Sequence, residues 1–209
     1  MVASRTASMS VRIVSEVDDE MAGDFYALYA ETFGPMATLA VNRHVLYEHE
    51  FMEVMRDHRI DKYLAVDEET GDAIGMCTLT NRLETVTWVS AEYFTHHFPE
   101  HAARDAIYYL GFSLAKPHRR REQVFTELIT AVSVTLAEER AMCGYDICAY
   151  NNEELGLGAA VDAMVSSIAE VDIKTLDTQT YYAAISTGPL KSGKRGRVPV
   201  QRLTVEAHP

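Results

Sequence analysis

Apolar and polar positions alternate along "VRIVSEV" (11–17), the pattern of a half-buried strand. Asp18 or Asp19 can then cap a helix in which Met21, Phe25, Leu28, Tyr29 and Phe33 fall at helical spacing, before Gly34-Pro35 stops it. A second helical stretch, about 39–57, carries Leu39, Val45, Leu46, Phe51 and Val54. In "KYLAVDEETGDAIGMCTLTN" (62–81) two strand-like runs flank a turn at Thr70-Gly71, which predicts an antiparallel hairpin. "ETVTWVS" (84–90) extends it or forms a short strand, and 91–105 reads as a short helix with a loop around Pro99.

The run "AIYYLGFSLA" (106–115) is apolar on both faces, as expected of a central strand covered on both sides. From about 119 to 140 a helix is predicted, because Val124, Leu128, Val132 and Leu136 recur at steps of four with Phe125 and Ile129 beside them. "GYDICAY" (144–150) is the next strand, and 152–168 is a helix weakened by Gly156 and Gly158. "EVDIKTLD" (170–177) and "QTYYAAIS" (179–186) alternate and predict a closing antiparallel pair. The order β-α-α-β-β-(β)-α-β-α-β-β is a mixed α/β domain, not a strict doubly wound alternation.

Composition narrows the function classes. A chain of 209 residues suits one domain with ragged ends: a leader at 1–10, a domain at 11–186 and a basic tail at 187–209. The net charge of -12 argues against a nucleic-acid partner, which needs a cationic face. Cys77, Cys143 and Cys148 have no metal-ligand spacing and read as buried thiols in a reducing compartment. "MVASRTASMS" lacks a signal-peptide core, and ten apolar residues are about half a membrane span, so a cytoplasmic protein without a membrane partner is expected.

Against this acidic background, "LAKPHRRREQVFTELITAV" (114–132) sets His118, Arg119, Arg120 and Arg121 where a strand feeds a helix. Free N–H groups and the helix dipole attract anions at such a place, and guanidinium groups add bidentate contacts. The segment reads as a pocket for phosphate or pyrophosphate; the alternative is a solvated basic turn pairing with surface carboxylates.

The element order and this loop resemble the GNAT superfamily of acyl-CoA-dependent acyltransferases over about residues 11–186. In that family the fourth strand ends in L-x-V-x-P-x-x-R/Q-G-x-G-x-G/A, whose amides cradle the pyrophosphate of coenzyme A. Ser113 and Ala115 fall at the strand positions beside the pantetheine arm, Pro117 on the proline and Arg120 on the Arg/Gln. Asn151 matches a polar residue after the next strand that faces the cofactor. The glycine positions hold Arg121, Gln123 and Phe125, with Val124 between, so side chains occupy space that backbone needs near phosphate. Gly158 and Ala159 stand where the family often has the tyrosine that protonates the thiolate.

The resemblance implies a mixed, splayed sheet and acyl transfer, most simply acetyl from acetyl-CoA or another acyl-CoA to an amine of a small molecule or peptide. Three readings stay open. Coenzyme A is held by the arginines in place of the glycine loop; or the donor is an acyl carrier protein; or the pocket is lost and the domain is a non-catalytic module with Phe125 as its plug. The closing strands could also pair across a homodimer.

The chemistry needs a deprotonated amine, a polarised carbonyl and a protonated thiolate. The family polarises the carbonyl with a backbone N–H on the fourth strand, here near Ser113. Glu84 is the candidate base, Tyr108 or Tyr109 can line the cleft, and Ser113 and Tyr150 lie nearest the expected thioester. Each has a plainer reading: surface carboxylate, core tyrosine, or a helix cap in the case of Asn151. His96, His97 and His101 with Glu100 match no zinc pattern, so no metal is expected; they read as a solvated loop or as acceptor-site lining. Trp88, Tyr93, Phe94 and Phe98 form either an aromatic wall for an apolar acceptor or acyl chain, or ordinary core.

Overall fold

The computed structural model describes residues 9–41, 45–117 and 121–188. The chain divides into two units between Lys174 and Thr175, and the regular elements described here lie in the first. Its sheet runs in the order β1 (Met9–Val14), β2 (Asp61–Asp67), β3 (Ala73–Thr80), β4 (Ile107–Ala115) and β5 (Met142–Gly144). The first four strands are antiparallel neighbours, and β5 lies parallel to β4. Between β1 and β2 come α1 (Asp19–Phe33), α2 (Met36–Leu39) and α3 (Glu48–Arg56). Between β3 and β4 come α4 (Ala91–His97) and α5 (Pro99–Ala102). The crossover from β4 to β5 is α6 (Arg121–Glu138), and α7 (Leu157–Ile168) follows β5. This is a mixed, open five-stranded sheet with flanking helices, the mixed α/β architecture expected from the sequence.

Local chemistry explains the elements. The Asp18 carboxylate accepts from the Met21 N–H at 2.9 Å and caps α1, whose first turn adds Asp19 and Glu20 on the positive end of the dipole. The hairpin turn places Gly71 at φ 79°, a conformation that costs a glycine little. On one sheet face, Phe25, Tyr29, Phe51 and Met55 of α1 and α3 pack on Leu64, Met76 and Leu114. On the other, Val124, Leu128 and Val132 of α6 pack on Tyr63, Ala65, Cys77 and Tyr108. Gly75 makes that approach possible, because a Cβ there would overlap Val124 Cγ1 and stand 3.0 Å from the Leu114 carbonyl. A third cluster, Leu83, Val86, Phe94, Ile107 and Tyr109, closes one end of the sheet. Lys62 is wholly buried, its ammonium donating to the Ser15 and Asp57 carbonyls at 2.8 Å each.

Several expectations need correction. The helix expected over 39–57 begins at Glu48. Residues 84–90 form no strand: Leu83–Thr85 is a single tight helical turn, because Leu83 and Val86 both bury and β3 already has β2 and β4 on its two edges. The strand expected over 144–150 is the three-residue β5. Beyond Gly144, side chains leave the ladder for other partners: Tyr145 donates to Asp162, and Asp146 turns to Tyr109 and Trp88. The expected helix over 152–168 is split by Gly156 at φ 64° into a turn, Tyr150–Glu154, and α7.

The closing pair is absent. Residues 169–174 of the first unit have no regular structure, and Val171 and Ile173 are exposed. Residues 175–188 of the second unit have none either, and Tyr182 and Ile185 are exposed. Alternation makes a strand only where a ladder accepts it, and three residues of β5 offer little ladder. Met9 and Ser10 of the leader expected over 1–10 belong to β1; the rest of that leader, and residues 189–209 of the tail expected over 187–209, lie outside the described residues. No helix among the described residues is long and apolar enough to cross a membrane.

Candidate functional site

The site is built around β4. Its ladder with β3 runs Gly75↔Ala115, Met76↔Leu114 and Cys77↔Ser113, then shifts to Leu79↔Leu110 and Thr80↔Tyr109. Gly111 and Phe112 therefore both stand opposite Thr78, a β-bulge. Gly111 allows it, because a Cβ there would lie 2.5 Å from Thr78 Oγ1. The Phe112 N–H reaches Thr78 Oγ1 at 3.4 Å, a long and weak hydrogen bond. On the opposite edge, β5 pairs with β4 only from Ile107 to Tyr109. The two strands thus part just before the bulge.

The added residue changes which side chains share a face. Tyr108 and Leu110 look toward α6; Tyr109 and Phe112, three residues apart, both line a cleft on the other face. Ser113 pairs with Cys77, itself in the α6 cluster. Ser113 Oγ is buried and has no hydrogen-bond partner among the described residues. Burial pushes the Cys77 thiol far up, so it stays protonated and inert. Cys143 and Cys148 are half-buried, less covered than expected, and all three thiols are free.

The cleft over the bulge is small, about 30 Å³ or the scale of one water molecule, and has a mostly apolar wall with Leu46, Val54, Val86, Trp88, Tyr109 and Phe112 on it. At its rim, Asp146 Oδ1 accepts from the Tyr109 hydroxyl and, at 3.2 Å, from the Trp88 indole N–H. The Trp88 and Tyr109 rings meet edge to face at 6.2 Å. Burial first, then the Asp146 carboxylate, pushes the Tyr109 phenol well above its ordinary range. It can therefore donate a proton in a hydrogen bond but does not serve as a base at neutral pH. Tyr108 points the other way and donates to Glu139 at 2.6 Å; burial and Glu139 hold its phenol high too.

Ser113, Tyr109 and Ala115 all lie on β4, Tyr109 on the cleft face and Ser113 and Ala115 on the α6 face. Glu84 does not stand on a strand edge as expected; it lies exposed in the Leu83–Thr85 turn, 3.9 Å from Arg59 Nη1. Tyr150 and Asn151 sit in the Tyr150–Glu154 turn instead of at a strand end, because β5 stops at Gly144. Val124 is core, Phe125 is half-buried and Gln123 exposed on the first turns of α6. Arg119, Arg120 and the side chain of Arg121 lie outside the described residues. His97 meets the Tyr93 ring at 4.4 Å, tilted by 42°, and His96 meets His97 edge-on, so these two histidines lie on α4, while His101 lies on α5. No metal-holding cluster occurs among the described residues.

Sequence reasoning missed Asp146 and Thr78. Asp146 carried a signal: it is the one carboxylate in the otherwise apolar and aromatic "GYDICAY". Thr78 carried none, since only the bulge gives it a role.

No protein-family model matches the chain, and no curated protein matches it by sequence. Solved structures resemble it at low sequence identity. A ribosomal-protein-alanine N-acetyltransferase from Brucella melitensis biovar Abortus 2308 is 11% identical, with 83% of this chain and 100% of that one covered and a TM-score of 0.45. An aminoglycoside 6'-N-acetyltransferase from Acinetobacter baumannii is 14% identical over 84% and 100%, at 0.44. A possible acetyltransferase from Clostridium difficile 630 is 8% identical over 83% and 99%, at 0.49.

Proposed function

We propose that the chain is a divergent GNAT-superfamily N-acyltransferase that moves an acyl group, most simply acetyl, from coenzyme A to an amine. The observation that carries the reading is the bulge at Gly111–Phe112, placed where β4 and β5 part. Coenzyme A supplies the acyl group as a thioester. Its pantetheine arm bears amides that need partners along a strand edge, and two features of the chain fit that need. Among the described residues the β4–β5 ladder stops at Tyr109, leaving the edge from Gly111 to Ala115 beyond it. The buried Ser113 hydroxyl has no partner among them. The arm would run beside Ser113 and Ala115, with the phosphates toward the first turn of α6 and Arg119, Arg120 and Arg121.

The chain's own residues then divide the work. The Phe112 N–H, held only weakly by Thr78, is the backbone donor proposed to meet the carbonyl oxygen as charge develops on it. The amine nitrogen forms the new C–N bond, the C–S bond breaks, the amine gives up a proton and the thiolate gains one. Glu84, next to Thr85 and Val86 of the cleft wall, takes the amine's proton directly or through water; Arg59 competes for it. Tyr150 is the hydroxyl proposed to return a proton to sulfur. Tyr109 stays protonated and positions the cleft.

The test is calorimetric binding of acetyl-CoA, and of desulfo-CoA as a non-reactive control, to wild type, Arg120→Ala and Lys191→Ala. Micromolar binding that Arg120→Ala weakens about tenfold or more, with Lys191→Ala close to wild type, is expected, because one lost charge-assisted contact is worth at least about 1.4 kcal/mol. Equal small effects would remove the anion pocket. No binding by folded wild type would overturn coenzyme A as donor and leave a carrier-protein donor or a non-catalytic module.

A further inference from the structure

α7 is an apolar helix without a buried residue. Asp162 is its only charged side chain, and Leu157, Val161, Val165 and Ile168 recur at helical spacing, yet none of its twelve residues is buried. Ala169 then leads into "EVDIK" (170–174), which alternates like a strand and has no regular structure. Val171 and Ile173 are exposed there. The backbone N–H and C=O groups of 170–174 meet no backbone partner among the described residues. An exposed, alternating segment with free main-chain groups is a template for a strand of another chain.

The charges of the segment indicate which chain. Asp172 and Lys174 share one face of an extended run, and they already bond each other at 2.6 Å. Set antiparallel to its own copy about a two-fold axis through Ile173, the segment brings Asp172 opposite the partner's Lys174, and Lys174 opposite the partner's Asp172. Ile173 then meets the partner's Ile173 on the other face, with Val171 beside it. Opposite charges and apolar pairs placed directly across a ladder are the arrangement that stabilises it. Neighbouring registers lose this match: an axis through Asp172 sets that carboxylate against itself, and an axis through Val171 sets Glu170 against Asp172.

We infer that the chain associates with a second copy of itself, as an isologous dimer, through residues 170–174 and the apolar stripe of α7. A ladder this short is marginal alone. The α7 stripe, about 18 Å long, supplies the apolar area that a stable interface needs beside it. Lys174 is the residue that makes the surface self-complementary, because it offers a cation to the acidic segment of the other copy.

The inference goes beyond the acyltransferase reading and does not depend on it. Sedimentation velocity of the full chain from micromolar to hundred-micromolar concentration is the test. A species of twice the 23.4 kDa chain mass is expected for wild type. Ile173→Lys should abolish it by setting two cations together at the axis. Asp172→Lys and Lys174→Asp should each raise the dimer Kd at least about tenfold, since every such change acts at two symmetric pairs. Mixing those two variants should restore the dimer, because each then offers the charge that the other lacks across the axis; a merely local effect within one chain would not be rescued by mixing. The segment is exposed and packs in no core, so the far-UV circular dichroism of each variant should match wild type. A variant that misfolds leaves the decision to wild type and Ile173→Lys. Wild type monomeric throughout would overturn the inference and leave the face to a different protein. A dimer that survives Ile173→Lys, or single variants that stay apart when mixed, would overturn it as well.

Discussion

Lys62→Met should make the protein respond differently to alkali. In the folded chain the Lys62 ammonium is out of contact with solvent, tying the Ser15 carbonyl at the end of β1 to the Asp57 carbonyl after α3. Burial lowers its pKa from 10.5 to about 8, while Asp57, Asp61 and Glu16 nearby pull it back up. In the unfolded chain the value returns to about 10.4. Between those two values the unfolded state holds more protons, so stability must rise as pH climbs through the window from about 8 to about 10. One pKa unit is about 1.36 kcal/mol, and moving from about pH 7 to about pH 9.5 recovers at most about 2 kcal/mol. Solvent relaxation around a lysine so near the domain surface brings that to about 1–2 kcal/mol. Methionine fills the same space and does not titrate. It also leaves two carbonyls without their donor, at about 1–3 kcal/mol each, so the variant should be the less stable protein at both pH values. Urea denaturation of both proteins at the two pH values is the assay. The gap between them should widen with pH by about 1–2 kcal/mol, other titrating groups cancelling in the difference. A constant gap would refute the claim that Lys62 is buried with its charge at neutral pH, and a narrowing gap would reverse its sign.

Two further outcomes follow from packing and charge. Gly75→Ala should cost about 1–3 kcal/mol by pushing α6 off β3, and Leu128→Ala, from the same contact, about 2–5 kcal/mol by opening a cavity; urea denaturation at one pH would measure both, and a neutral Gly75→Ala would mean that α6 sits more loosely than described. Asp57 is held at a pKa of about 2, chiefly by its hydrogen bond with Arg59. A lowered carboxylate contributes stability above its unfolded value near 4 that is lost as pH falls toward 2, so Arg59→Ala should raise the pH of acid unfolding slightly, and an unchanged acid midpoint would rule the pair out as a stabiliser.

Much of the fold was legible because burial imposes a period. α6 repeats Val124, Leu128 and Val132 at one spacing, and those residues meet the sheet. The hairpin was legible because one glycine has to take a left-handed turn. What failed to read was what depends on partners. Alternation over 170–186 is as regular as over 11–17, yet 11–14 of the latter lie in β1, paired along Lys62–Ala65, and the former has no ladder among the described residues. "GYDICAY" has strand-like composition, but after Gly144 its side chains find partners off the sheet. Of the candidate residues, Ser113 and Ala115 could be placed on β4 from their position in a motif. Glu84 was misplaced because a buried pair three apart, Leu83 and Val86, favours a helical turn over an extended run.

The bulge is the feature that alternation hides most completely, and it decides how the site is arranged. In an unbroken strand Tyr109, Gly111 and Ser113 would share one face and Tyr108, Leu110 and Phe112 the other. Setting Gly111 and Phe112 together against Thr78 exchanges the faces beyond that point. Phe112 joins Tyr109 on the wall of the cleft, and Ser113 passes to the side of Cys77 and α6. Two compartments therefore meet across the backbone of a single strand: one apolar, with Asp146 at its rim, and one that runs from an unsatisfied hydroxyl toward the start of α6. The weakly engaged Phe112 N–H stands at the crossing. Glycine at 111 is what makes that separation possible: a side chain there would strike Thr78 and remove the bulge that sends Tyr109 and Ser113 to opposite faces.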